Sequence, residues 1–120
     1  MTFQRIEKNG IPCALVESGE AVIRDAQSVL DLLMSAKYEA GTKNLVIAKK
    51  CICENFFILS TGLAGEILQK FVNYGARIAI YGDYSRYTSK PLHDFMRESN
   101  EGREVFFAST KDAAIDALCC

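Results

Sequence analysis

The sequence predicts a single α/β domain spanning residues 1–120, with a mixed, mostly parallel sheet of four to five strands and four helices. Two apolar runs, at residues 45–48 and 78–80, lack polar alternation, which is typical of strands buried on both faces of a parallel sheet. Between these runs, Leu63 and Ile67 recur at helical spacing on one apolar stripe. The three segments have the pattern of a βαβ unit, and the rest of the chain alternates in the same way.

The opening elements are predicted to be a hairpin and a helix. Residues 3–8 and 12–17 are strand candidates joined at Asn9-Gly10, a dipeptide that tolerates the positive φ values of a tight turn. A helical period follows over residues 25–40, where Asp25 is a good N-cap and a glycine follows as a stop signal. The hairpin adds one antiparallel strand to the sheet.

The remaining elements continue the alternation of strand and helix. In chain order they are a strand at 45–48, a helix opened by Ser60-Thr61-Gly62, a strand at 77–81, a helix from Ser89 to Gly102, a strand at 104–108 and a helix at 111–118. The complete order is ββαβαβαβα. No linker, repeat or low-complexity segment interrupts it, so one domain accounts for the chain.

Composition excludes several classes of protein. The chain of 120 residues is 49% hydrophobic and 24% charged, as an ordinary globular domain is. A formal net charge of -1 without a basic run predicts neither nucleic acid nor a membrane surface as partner. The sequence shows no leader pattern and no apolar segment near the ~20 residues of a membrane span, which predicts a cytoplasmic protein.

The five cysteines are predicted to be reduced thiols, because nothing indicates secretion. Cys51-x-Cys53 and Cys119-Cys120 could approach in a metal or redox site, but small buried hydrophobes are the favoured interpretation. His93, the single histidine, falls on the polar face of its helix and completes no triad. The sequence therefore predicts no metal, no cofactor and no complete catalytic constellation.

The predicted helix start at Ser60-Thr61-Gly62 has two interpretations. Its hydroxyls and free amides could hold an anion or accept a phosphoryl group. Alternatively, Ser60 or Thr61 caps the helix. Gly62 and Gly65 are unfavourable inside a helix, which suggests that a neighbouring element or a ligand approaches closely.

The segment from residue 51 to 59 is unusually apolar for a connection. It either folds back as a short helical turn that joins the core, or it exposes Phe56 and Phe57 as an apolar patch for a partner or a second copy of the chain. In the second case Glu54 and Asn55 would be the polar specificity elements. The sequence leaves both alternatives open.

The loop that follows the strand at 77–81 is polar and aromatic. If the sheet is parallel, the loop lies at the same carboxyl edge as Ser60, with the residues Asp83, Tyr84, Ser85, Arg86 and Tyr87. Such a group could bind a small anion or act on one, with Asp83 as base. The other interpretation is a solvated turn, because Asp-Tyr-Ser is turn chemistry.

Ser60-Thr61-Gly62-Leu63, between a buried strand and an amphipathic helix, resembles the Asp-Ser-(Ser/Thr)-Gly-Leu signature of STAS domains, the anti-sigma-factor antagonist fold. The order of elements is similar over most of the chain, which implies a STAS-like architecture. In regulatory members the serine after the aspartate is phosphorylated by a partner kinase, and the matching residue is Ser60. Leu59 stands where that family has its aspartate.

A closer resemblance is to a bacterial family catalogued as domain of unknown function 4180. The residues that carry it are Glu54-Asn55-Phe56-Phe57, the run from Thr61 to Phe71, Gly82-Asp83, Ser89-Lys90, Asp94-Phe95 and Glu98-Ser99-Asn100. The resemblance spans nearly the whole chain and implies no particular activity.

The preferred functional hypothesis is a binding or regulatory module, not an enzyme. The start of the Ser60 helix, the loop from Glu54 to Phe57 and the loop at Asp83 would form one surface. A protein partner or a second copy of the chain, as in a homodimer, would bind there, under the control of phosphorylation at Ser60.

The alternative hypothesis is a sensor of a small anionic ligand, or a small enzyme. The amides of Ser60-Thr61-Gly62 would cradle the anion, Arg86 would clamp its charge and Asp83 would act as base. This alternative requires a concave pocket between the three segments, with Asp83 and Arg86 turned inward.

Overall fold

Residues 1–119 are described by a computed structural model, which contains five strands and four α-helices in the predicted order. The strands are β1 (Thr2–Lys8), β2 (Ile11–Glu17), β3 (Asn44–Ala48), β4 (Arg77–Tyr81) and β5 (Val105–Ala108). The helices are α1 (Ala26–Ala40), α2 (Leu63–Asn73), α3 (Lys90–Asn100) and α4 (Lys111–Cys119). None of the helices in this part of the chain has the length and apolar character needed to cross a bilayer.

The five strands form one sheet in the order β1-β2-β3-β4-β5. Strand β1 is antiparallel to β2, and the other neighbours are parallel, which confirms the predicted mixed, mostly parallel sheet. The three crossovers advance in one direction, so α1, α2 and α3 pack on one face and α4 packs on the other. Consequently the parallel strands β2 to β5 all end at one carboxyl edge.

The local signals at the start of the chain act as predicted. Asn9 and Gly10 have φ values of 55° and 78°, which the tight hairpin turn requires. At α1, the carboxylate of Asp25 accepts a hydrogen bond from the amide of Ser28 at 2.8 Å. The hydroxyl of Ser28 accepts one from the amide of Asp25 at 3.0 Å, which completes a capping box.

The core lies in two layers, one on each face of the sheet. Alternate residues of each strand point to opposite layers; in β3, Leu45 and Ile47 face the larger layer and Val46 faces the smaller one. The apolar residues of β3 and β4 are buried, as the two uninterrupted apolar runs predict. The smaller layer is closed by α4 alone.

The start of α2 differs from the prediction. Residues 59–61 form a short 3₁₀ turn, and the α-helix begins at Leu63. The reason is Gly62, whose φ of 75° is left-handed and interrupts the helical path. The hydroxyl residues Ser60 and Thr61 therefore precede the helix and do not open it.

Truncation of Phe71 tests the packing of α2 on the sheet. Phe71 is 0% exposed, so Phe71→Ala leaves a cavity, and we expect the free energy of unfolding to fall by about 3–5 kcal/mol. The matched control is Val72→Ala, because Val72 is 52% exposed; its effect should stay within about 0.5 kcal/mol. Urea unfolding measures both. Equal losses in free energy of unfolding for the two variants would contradict an orientation of α2 that buries Phe71 and exposes Val72.

Candidate functional site

The candidate site begins where β3 and β4 leave the sheet together. Ala48 pairs with Tyr81, so the next residues, Lys49 and Gly82, lie side by side at the carboxyl edge. A Cβ atom added to Gly82 would lie 2.7 Å from the Cβ of Lys49, closer than such atoms approach one another. Glycine at this position therefore allows the lysine to run across the end of β4.

The Lys49 side chain is held between two loops and is 15% exposed. Its ammonium lies 4.9 Å from the ring centroid of Tyr87 and 5.3 Å from that of Phe57. These two rings stack on one another with centroids 5.3 Å apart and planes 19° from parallel. Cation–π attraction and ring stacking thus join the segment after β3 to the loop before α3.

Glu54 is the polar centre of this arrangement. Its carboxylate accepts hydrogen bonds from the guanidinium of Arg86 and, at 3.0 Å, from the hydroxyl of Tyr87. The ammonium of Lys49 lies 3.6 Å from Glu54 Oε1. Partial burial pushes the pKa of Glu54 upward, but the Tyr87 hydrogen bond and the charges of Lys49 and Arg86 outweigh it and lower that pKa below its ordinary value.

Tyr84 and Asp83 shape the loop between β4 and α3. The Tyr84 hydroxyl donates a 2.8 Å hydrogen bond to the carbonyl of Ile80, and burial raises the pKa of the phenol. The carboxylate of Asp83 accepts a 2.8 Å hydrogen bond from the amide of Ser85, which lowers the pKa of Asp83. This geometry is the Asx turn that the turn interpretation of the loop predicts.

Two open clefts adjoin at the carboxyl edge and share Ala48, Lys50 and Tyr81. One has a volume of about 580 Å³ and is also lined by Lys49, Glu54, Gly82, Asp83 and Arg86. The other has a volume of about 520 Å³ and is also lined by Met1, Val16, Glu17, Ser18, Gly19, Cys51 and Lys111. We call the two together the edge cleft.

Basic side chains slightly outnumber acidic ones around the edge cleft. The basic residues are Lys49, Lys50, Arg86 and Lys111, and the acidic ones are Glu17, Glu54 and Asp83. Lys49 and Arg86 pair with Glu54, and the ammonium of Lys111 lies 4.0 Å from Glu17 Oε1. Within residues 1–119, Lys50 makes no ion pair, although it lines both clefts.

The predicted site residues fall into two groups. Asp83 and Arg86, the base and clamp of the anion hypothesis, line one cleft together with Glu54. Ser60, Thr61 and Gly62 lie outside its lining. The Thr61 hydroxyl lies 2.8 Å from the carbonyl of Asn55 and accepts a 3.2 Å hydrogen bond from the amide of Leu63, so it acts as a local cap.

The two glycines at this helix have no close neighbour in the fold. A Cβ atom added at Gly62 or Gly65 would meet no protein atom within 4 Å. The expectation that a neighbouring element approaches there is therefore wrong for the part of the chain the structure describes. Gly62 is explained by its left-handed conformation instead.

The apolar segment from residue 51 to 59 joins the core. Phe56 and Phe57 lie in a 3₁₀ turn, Glu54–Phe57, and are 1% and 3% exposed. The alternative of an exposed patch built on these two rings is therefore wrong. Glu54 and Asn55 are exposed on the same turn, and Ile58 after it is 49% exposed.

The cysteines and the histidine form no metal site among the described residues. Cys51 is buried, Cys53 is half-buried, and no group of three or more metal-ligating side chains occurs in residues 1–119. Cys120, the second member of the predicted terminal pair, lies outside the described residues. His93 is exposed, as its position on the polar helix face predicts.

Sequence reasoning missed two residues of the site, Lys49 and Lys50. A signal for the two lysines is present, because they follow an apolar strand directly, where side chains reach the carboxyl edge. Tyr87 belongs to the polar, aromatic loop that the sequence places at this edge, but the sequence does not show its partner. Its stacking on Phe57 joins residues far apart in sequence, and only the fold shows it.

A comparison with models of known protein families shows which family the chain belongs to. The family model described as "Domain of unknown function (DUF4180)" matches residues 8–118. The chain belongs to the DUF4180 family. A search of curated proteins and a search of solved structures each found no significant match, so the resemblance of this DUF4180 domain to STAS domains stays a prediction.

Substitution of Gly82 tests the close approach between Gly82 and the Lys49 side chain in this DUF4180 domain. In Gly82→Ala the new methyl group would displace Lys49 from the rings, and we expect the free energy of unfolding to fall by about 1–3 kcal/mol. The control is Gly65→Ala, where space is open within a helix and a gain of about 0.5–1 kcal/mol is expected. Thermal and urea unfolding measure both variants. A Gly82→Ala variant as stable as the unsubstituted protein would contradict the close contact between Gly82 and Lys49.

Proposed function

We propose that this protein is a regulatory module that binds a small anionic molecule in the edge cleft. The observation that carries the proposal is Lys50, an exposed cation that lines both clefts and has no carboxylate partner among residues 1–119. An anion in either cleft would supply that partner. Because strand ends and loops of a parallel sheet gather ligands at this edge, the position supports the same function.

The chemistry of the cleft indicates a ligand with a phosphate or carboxylate group. Lys50 and Lys111 are exposed and offer ammonium donors, with Lys111 also close to Glu17, whereas Lys49 is held by the rings of Tyr87 and Phe57. Tyr81 lines both clefts and adds an aromatic residue to their shared wall. The two volumes fall within the ~300–1,000 Å³ range of small-molecule sites.

Binding is better supported than catalysis by the state of the two carboxylates in this cleft. The pKa values of Asp83 and Glu54 both lie below their ordinary values, so both groups are ionised at neutral pH. A general acid or base needs a pKa near the working pH, and the shifts of Glu54 and Asp83 move both pKa values further below neutral pH. Both carboxylates are also already engaged in hydrogen bonds within the loops.

A titration with pyrophosphate, followed by amide resonances, tests the proposal. We expect shifts to concentrate at Ala48, Lys50 and Tyr81, and we expect Lys50→Gln to weaken binding about two- to fivefold. The control is Lys37→Gln, which removes the same charge from an exposed position of helix α1 and should leave binding unchanged. A parallel titration with sodium chloride at equal ionic strength distinguishes shifts caused by binding from shifts caused by screening of surface charges. Shifts absent or scattered over the surface would refute the proposal.

A second candidate function is docking of a protein partner, or of a second copy of the chain, beside the same edge. The exposed residues Glu54, Asn55, Ile58 and Ser60 support it, because exposed polar residues flank in sequence one apolar side chain that is 49% exposed. In this proposal the protein is cytoplasmic, and phosphorylation of Ser60 controls docking. A phosphate there would add about two negative charges to the turn that precedes α2.

Intact mass of the protein from its native host, with peptide mapping across residues 51–70, tests this second candidate. A fraction heavier by about 80 Da at Ser60 or Thr61 is expected if the surface is phosphorylated. Ser60→Ala should remove a fraction that maps to Ser60, and Ser109→Ala, at another exposed serine that precedes a helix, should not. An unmodified mass, together with a strictly monomeric protein, would refute this function.

A further inference from the structure

Two cysteines far apart in sequence meet inside the smaller core layer. Cys13 lies in β2 and Cys119 is the last residue of α4, and their sulfur atoms are 3.1 Å apart across a separation of 106 residues. Both side chains are 0% exposed. Neither belongs to the edge cleft.

The surrounding fold holds the two thiols against one another. The side-chain amide of Asn9 donates a 2.8 Å hydrogen bond to the carbonyl of Cys119, which ties the end of α4 to the hairpin. The apolar side chains of Leu15, Val46 and Leu118 fill the same layer. The contact is therefore built by the hairpin, the central strands and the closing helix together.

We propose that Cys13 and Cys119 form a reversible disulfide bond when a peroxide reaches them, and that this bond clamps α4 onto β2. A covalent S–S bond is about 2.05 Å long, so each sulfur moves by only about half an ångström from its position in the reduced protein. The inference is independent of the function proposed for the edge cleft.

The chemistry balances with hydrogen peroxide as the oxidant. One cysteine, as the thiolate, attacks the O–O bond and becomes a sulfenic acid, and the other peroxide oxygen leaves as water. The second thiol then attacks the sulfenic sulfur and releases a second water. In sum, two thiols and one peroxide give one disulfide and two waters, and a thiol reductant reverses the bond by exchange.

Burial makes the reaction depend on local opening of the protein. Burial and the hydrogen bond with Cys119 raise the pKa of Cys13 to about 12, so the closed protein holds almost no thiolate there. Unwinding of the last turn of α4 would expose Cys119 to the oxidant. Once formed, the disulfide would be enclosed again, so its reduction by a thiol would also require the last turn of α4 to open.

Oxidation of the purified, reduced protein with hydrogen peroxide tests the inference. We expect two of its five thiols to become unavailable to alkylation in denaturant, and we expect a non-reducing peptide map to join Cys13 to Cys119. The melting temperature should rise by about 10 °C, because a crosslink across so long a loop restricts the unfolded chain, and dithiothreitol should reverse the rise.

Two variants make the test specific. Cys119→Ala should abolish both the crosslink and the rise in melting temperature. Cys120→Ser removes the neighbouring thiol and should retain both, so it serves as the matched control and as the assay if Cys119→Ala fails to fold. Five alkylated thiols after oxidation, or a crosslink that joins other cysteines, would overturn the inference.

Discussion

The structure depends on the burial of β3 and β4 on both faces of the sheet. Their apolar residues have no polar alternation, so neither face tolerates water, and the chain must place helices on both sides. Helices α1 to α3 cover one face and α4 the other. Since the parallel strands share one direction, the segments that leave their carboxyl ends collect at a single edge, and the candidate site lies there.

The geometry of the site follows from the register of these two strands. Because Ala48 pairs with Tyr81, Lys49 emerges directly beside Gly82, and its side chain crosses to the rings of Phe57 and Tyr87. The ion pair of Glu54 with Arg86 is exposed on both sides and contributes little stability. The stacked rings and the enclosed lysine stem, which exclude water, are the stronger contribution to the order of both loops.

The sequence predicts the elements well because their signals are local. Apolar periodicity, the Asn9-Gly10 turn and the Asp25 cap each act within a few residues, and the structure confirms all three. The start of α2 was predicted too early because the glycine at position 62 suggests a close approach, whereas it adopts a left-handed conformation before the helix. Periodicity also left the burial of Phe56 and Phe57 open, since it reports no tertiary neighbours. The contacts of Lys49 with Tyr87 and of Cys13 with Cys119 join distant segments, so no local pattern reveals them.

The most direct test of the Lys49 contacts is the nuclear magnetic resonance spectrum of the Lys49 side chain in solution. If Lys49 lies over the rings, its terminal methylene protons are shifted upfield by ring currents and show nuclear Overhauser contacts to Tyr87 and Phe57. Both signatures should disappear in Tyr87→Ala. Lys49 resonances at ordinary shifts, without contacts to either ring, would contradict the central claim that this lysine joins the two loops at the carboxyl edge.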